Sequence, residues 1–151
     1  MSPDATGEIE VDASPEAVYA LVSDPAALAG VTAEYWRHRW LGGATGPAVG
    51  ERFRGSNRRG LRRWTTTVTI TAADAGRRYA FNVDLGPVPI SRWEYVIEPS
   101  GAGCRVTEST WDRRPPWFLP LALAATGVRD RAATNRANIA ETLARVKSAV
   151  E

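Results

Sequence analysis

Residues 93–110 read Trp-Glu-Tyr-Val-Ile-Glu-Pro-Ser-Gly-Ala-Gly-Cys-Arg-Val-Thr-Glu-Ser-Thr. Trp93, Tyr95 and Ile97 occupy alternate positions. Pro99-Ser100-Gly101-Ala102-Gly103 turns the chain, and Cys104, Val106, Glu108 and Thr110 resume the alternation. A period of two on both sides of so short a turn predicts two antiparallel strands, each with one face on the core. Parallel neighbours would need a crossover of a dozen or more residues.

The same rhythm extends upstream. Tyr79, Phe81 and Val83 form one apolar face, followed by a bend at Gly86-Pro87-Val88-Pro89. Trp64, Thr66, Val68 and Ile70 form another, joined to it through Asp74-Ala75-Gly76, a hairpin signal. Arg52-Phe53-Arg54 reads as a short strand and Gly55 to Gly60 as a turn. Trp36, His38 and Trp40 alternate with Arg37, Arg39 and Leu41, before a loop from Gly42-Gly43 to Gly50. The first strand is Glu8-Ile9-Glu10-Val11-Asp12. Ser14-Pro15-Glu16 and Asp24-Pro25 follow it, two cap-plus-proline signals that each start a short helix.

Downstream, Pro115-Pro116 ends the sheet and the period changes to 3.6. Val128, Ala132, Asn135, Ile139, Leu143, Val146 and Val150 make one helical stripe, with Arg129, Asp130, Arg136 and Glu141 on the opposite side. Starting at Trp117, this helix would span about 34 residues and about 50 Å, with Gly127 either kinking it or separating two helices. The expectation is one α+β domain over residues 1–151: about seven antiparallel strands, two short helices between the first and second, and a long C-terminal helix as the covering layer.

Composition narrows the function. With 19 basic and 17 acidic residues the net charge is +2, too small to imply a polyanionic partner. The longest apolar stretch, Trp117 to Ala125, is interrupted by Pro120 and falls short of the ~18 residues a membrane span needs. Met1 to Gly7 lacks the pattern of a secretory signal, and Cys104 is the only cysteine, as expected in a reducing cytoplasm. Heavy arginine and alanine usage points to a GC-rich genome such as an actinobacterium's. One histidine and one cysteine, without HExxH or CxxC spacing, argue against a metal site. No G-x-S-x-G supports a hydrolase triad, and Gly42-Gly43-Ala44-Thr45-Gly46 matches neither a P-loop nor a dinucleotide fingerprint. No cofactor is expected.

The stretch from Ile9 to Asp24, Ile-Glu-Val-Asp-Ala-Ser-Pro-Glu-Ala-Val-Tyr-Ala-Leu-Val-Ser-Asp, resembles the start of START-related proteins of the polyketide cyclase/dehydrase group, the SRPBCC superfamily. Gly46 to Arg54, Trp93 to Glu108 and Leu143 to Lys147 resemble later segments of the same proteins. The resemblance covers nearly the whole chain. It implies the helix-grip fold, a curved sheet around a C-terminal helix over a cavity. It also implies a role in carrying lipids, binding other apolar ligands or cyclising polyketides. Cys104 departs from an expected threonine, and no set of catalytic residues can be matched.

On these strand phases Trp36, Trp40, Trp64, Tyr79, Phe81, Trp93 and Tyr95 face the helix, as core or as cavity lining. His38, Glu108, Asn135 and, beside it, Ile139 share those faces. An unpaired buried polar group costs about 1–3 kcal/mol, so His38, Glu108 and Asn135 each require a partner, a water or a ligand. A Glu108 carboxylate buried without a cation should have a raised pKa. Three functions follow: binding a small apolar molecule; a cyclase or dehydratase reaction with His38 and Glu108 as acid and base; or an interaction surface on the arginine run Arg52, Arg54, Arg58, Arg59, Arg62 and Arg63, over a collapsed cavity. The low net charge disfavours nucleic acid for the last.

Overall fold

The computed structural model describes all 151 residues. Seven strands run in chain order: β1 (Ala5–Val11), β2 (Tyr35–Trp40), β3 (Arg52–Arg59), β4 (Arg62–Asp74), β5 (Arg78–Leu85), β6 (Val88–Ser100) and β7 (Gly103–Asp112). They form one antiparallel sheet in the order β1-β7-β6-β5-β4-β3-β2. From β2 to β7 the sheet is a meander, with a longer loop between β2 and β3 and tight turns thereafter. The first strand alone crosses to the far edge, carried there by α1 (Pro15–Val22) and α2 (Pro25–Ala29). The Ser14 hydroxyl accepts from the Ala17 N–H and the Asp24 carboxylate from the Ala26 N–H, so both short helices start at capped prolines.

The hairpin of residues 93–110 forms as read, with Trp93 opposite Thr110, Tyr95 opposite Glu108 and Ile97 opposite Val106. Two turns differ from expectation. Gly55 to Gly60 is not a turn: β3 runs on to Arg59 and the chain reverses at Gly60, whose φ is +59°. A Cβ on Gly55 would meet the Tyr35 ring at an ordinary contact distance of 3.5 Å. At the Gly86-Pro87-Val88-Pro89 bend, Val88 and Pro89 already belong to β6, and a bulge between Val83 and Asp84 adjusts the register there.

The expected 34-residue helix is three pieces. Pro116–Phe118 is a single 3-10 turn, α3 spans Leu119–Thr126, and α4 spans Arg131–Val150. Gly127, at φ +74°, ends α3 in the left-handed region where other residues are strained. Asp130 then caps α4 by accepting from the Ala133 N–H. Ile139, Leu143 and Val146 are buried, so the stripe is real over the C-terminal part of α4. There α4 lies on β1, where a Cβ on Gly7 would come within 2.8 Å of the Ile139 side chain. No helix is long and apolar enough to cross a membrane.

Candidate functional site

Between the sheet, α3 and the N-terminal half of α4 lies a cavity of about 260 Å³. Its floor is the concave face of the sheet, including Phe53, Trp64, Phe81 and Trp93. Its roof is Phe118, Ala122 and Ala125 of the 3-10 turn and α3, with Ala132, Asn135, Asn138 and Thr142 of α4. The floor residues are large because strands built for burial favour aromatic and β-branched side chains. Apart from Phe118 the roof residues are short, which leaves space above the floor.

Of the residues singled out in the sequence, Trp64, Phe81, Trp93, Tyr95, Glu108 and Asn135 border this cavity. Trp36, His38, Trp40, Tyr79 and Ile139 do not. A bulge between Tyr35 and Arg37 is the reason for the first. It turns Tyr35 inward and leaves Trp36 between the Arg37 and Arg58 guanidiniums, 4.9 and 4.7 Å from its ring centre. His38 and Trp40 keep the concave register, opposite Gly55 and Phe53. Their rings pack edge-on against Phe53 at 6.2 and 5.4 Å instead of opening onto the hollow. Tyr79 packs in the core against Tyr19 and Phe81, and Ile139 fills the region beneath α4. His38 and Glu108, the pair an enzyme reading would need together, do not meet in one cavity.

Glu108 is 2% exposed. Its Oε2 accepts a hydrogen bond from the Tyr95 hydroxyl at 2.8 Å, while its buried Oε1 has no partner. Burial pushes the carboxyl up to about 8, against which the Tyr95 hydrogen bond pulls only partly. Burial also raises the Tyr95 phenol, and the neighbouring carboxyl adds to that. The pair is a neutral acid held by a neutral phenol at the back of an apolar hollow.

Charges sit only at the rim, where Glu34 and Asp112 are paired with arginines. Glu34 accepts two hydrogen bonds from Arg131 at 3.0 and 2.9 Å and one from the Asn138 amide at 3.0 Å, tying the approach to β2 onto α4. Asp112 is bridged by Arg114. The six arginines of the basic run are exposed. Arg62 donates to the Ala124 carbonyl of α3 at 2.9 Å and so fastens the roof. Sequence reasoning missed Tyr35, Asn57, Asn138 and the α3 residues Ala122, Ala125 and Thr126 as cavity residues. Only the α3 contribution had a signal, the uncharged run ending at Gly127.

A curved antiparallel sheet gripping a C-terminal helix over a hollow defines the helix-grip class of proteins. Residues 2–151 match the family described as polyketide cyclase / dehydrase and lipid transport, and the chain belongs to it. Solved structures agree in fold. The KanY protein is 18% identical over 99% of both chains, with a TM-score of 0.68. The Polyketide_cyc-like protein Cgl2372 from Corynebacterium glutamicum is 26% identical over 94% of this chain and 87% of its own, at 0.60. The two-domain aromatase/cyclase StfQ of the steffimycin pathway is 15% identical over 97% of this chain and 51% of its own, at 0.70. No curated protein matches the sequence.

Proposed function

We propose that the protein binds a small, largely apolar molecule, a lipid, polyketide or similar compound, in the cavity between the sheet and the C-terminal helices. The observation that carries this reading is the hollow itself. Protein interiors close-pack, and unfilled apolar space costs stability. Here about 260 Å³ is kept open under Trp64, Phe81 and Trp93 while the other half of the same core is filled. The volume lies just below the roughly 300–1,000 Å³ usual for ligand pockets, which suits a compact molecule. Affinity would come mostly from apolar burial, at roughly 25 cal/mol per Å². Glu108 and Asn135 would orient the ligand's oxygens. Lone, buried Cys104 suits a role in the cytoplasm.

A cyclase or dehydratase reaction in the same cavity is the second reading. Its support is Glu108, an acid neutral enough near pH 7 to give a proton; without His38 in the cavity, Tyr95 is its nearest titratable neighbour. A role for the arginine hairpin as the functional surface assumed a collapsed cavity, and the cavity is open. Native mass spectrometry of the gently purified protein tests the binding reading. A co-purifying apolar mass, released by organic extraction, is the expected result. A bare protein that also takes up no naphthyl compound at millimolar concentration overturns it.

A further inference from the structure

Glu108 is the most deeply buried carboxyl bordering the cavity, and its two oxygens are not equivalent. Oε2 is occupied by the Tyr95 hydroxyl, which has donated its only proton there. With the phenol as donor, Oε2 is the acceptor and the acid proton of the neutral carboxyl belongs on Oε1. Oε1 is the oxygen without a partner. A buried donor left unpaired is costly, and no protein group answers this one.

The surroundings keep the carboxyl neutral. On β6 the group facing it is Tyr95, and on β5 Tyr79 lies opposite Tyr95 in the sheet. Both phenols are pushed up by burial and remain protonated. On β1 the residue opposite is Gly7. From α4 come Asn135, Asn138 and Thr142, none of them titratable. The rim charges are Asp4, Glu34, Asp112, Arg114 and Arg131. Glu34 is neutralised by Arg131 and Asp112 by Arg114, and Asp4 accepts from the Asp112 N–H. No cation is placed to hold Glu108 ionised.

We propose that the Oε1–H of Glu108 is a ligand-recognition donor, and that the cavity selects uncharged apolar molecules carrying a carbonyl-type oxygen at their buried end. This rests on the cavity reading above and adds the charge and polarity of the ligand. A carboxylate ligand would bring an anion beside a group that can ionise, with no base to neutralise it. A hydrocarbon would leave Oε1–H unpaired. A ketone or ester oxygen accepts from Oε1–H and leaves the Tyr95 hydrogen bond intact.

Four probes of one size separate the possibilities by calorimetric titration at pH 6.5: 2-acetylnaphthalene, its oxygen-free isostere 2-isopropenylnaphthalene, 2-naphthoate and 2-naphthylmethylammonium. The ketone should bind about tenfold more tightly than the isostere, the factor one net hydrogen bond supplies, and naphthoate should be weakest. Between pH 6.5 and pH 9.5 the ketone should lose that advantage as Glu108 ionises, while the isostere's affinity stays constant. Glu108→Gln, whose amide can still donate, should keep the preference for the ketone and abolish its pH dependence. Equal binding of ketone and isostere overturns the inference and leaves the cavity reading standing. Tightest binding of the ammonium overturns it too, because Glu108 would then be a counter-ion. Binding of none of the four overturns the cavity reading, and the inference with it.

Discussion

Helix α4 covers two different interiors. From its middle onward it sets Ile139, Leu143 and Val146 on β1 and β7, where Val11, Cys104 and Val106 are each at most 3% exposed. Its N-terminal half sets Ala132, Asn135 and Asn138 over β3 to β6, and there the space stays open. The sheet does not cause the difference, since its concave face carries bulkier residues at the hollow end than at the filled one. The helices cause it: short or polar side chains on α3 and α4 stop before the aromatic floor. A buried stripe that changes from leucine and valine to asparagine along one helix marks where close packing gives way to a site.

That contrast can be broken most forcefully at the filled end. Leu143→Ala should destabilise the protein by about 2–5 kcal/mol in denaturant unfolding, because the deleted atoms leave a void in a close-packed region. A loss well under 1 kcal/mol would mean the two ends do not differ in packing. Glu108 gives the next largest effect, and its sign depends on pH. Its carboxyl is held at about 8 in the folded protein, above its ordinary 4.5. The folded state therefore keeps a proton that the unfolded chain has released, and stability falls as pH rises from 4.5 to 8. Glu108→Gln removes that penalty. Its stability relative to the parent should rise from near zero at about pH 4 to a few kcal/mol at about pH 9, read as melting temperatures across pH. A constant difference would place Glu108 in a wetter, more ordinary setting. The smallest expected change in stability is at the hollow end. Asn135→Leu should shift it by less than about 1 kcal/mol, since the added bulk enters existing space. It should nevertheless weaken binding of 2-acetylnaphthalene at least tenfold by calorimetry. Unchanged binding would move the ligand away from α4.

Local chemistry explains what could be read in advance. Capped prolines at Ser14 and Asp24, tight turns at Asp74-Ala75-Gly76 and residues 99–103, and alternation between them specify an antiparallel meander, because each signal acts within a few residues. Among the candidate site residues, those on long regular strands landed on the cavity: Trp64, Phe81, Trp93, Tyr95 and Glu108. Alternation alone did not separate them from Tyr79, which shares their phase but packs in the core. Trp36 went astray because one bulged residue reverses a strand's facing, and the bulge depends on how β2 pairs with β3, whereas His38 and Trp40 kept the expected face and were diverted by packing on Phe53.

By itself the amino-acid sequence determined the order of elements, the single antiparallel sheet and the presence of polar groups on buried faces, since periodicity, caps and turns are encoded among near neighbours. Tertiary structure alone decided where the inside is empty. It broke the last helix at Gly127 and laid α3 over the sheet with Arg62 as its fastener. It also left Oε1 of Glu108 without a partner. A cavity is a shortfall between side chains from distant parts of the chain, and no local pattern records how far apart two surfaces will come to rest.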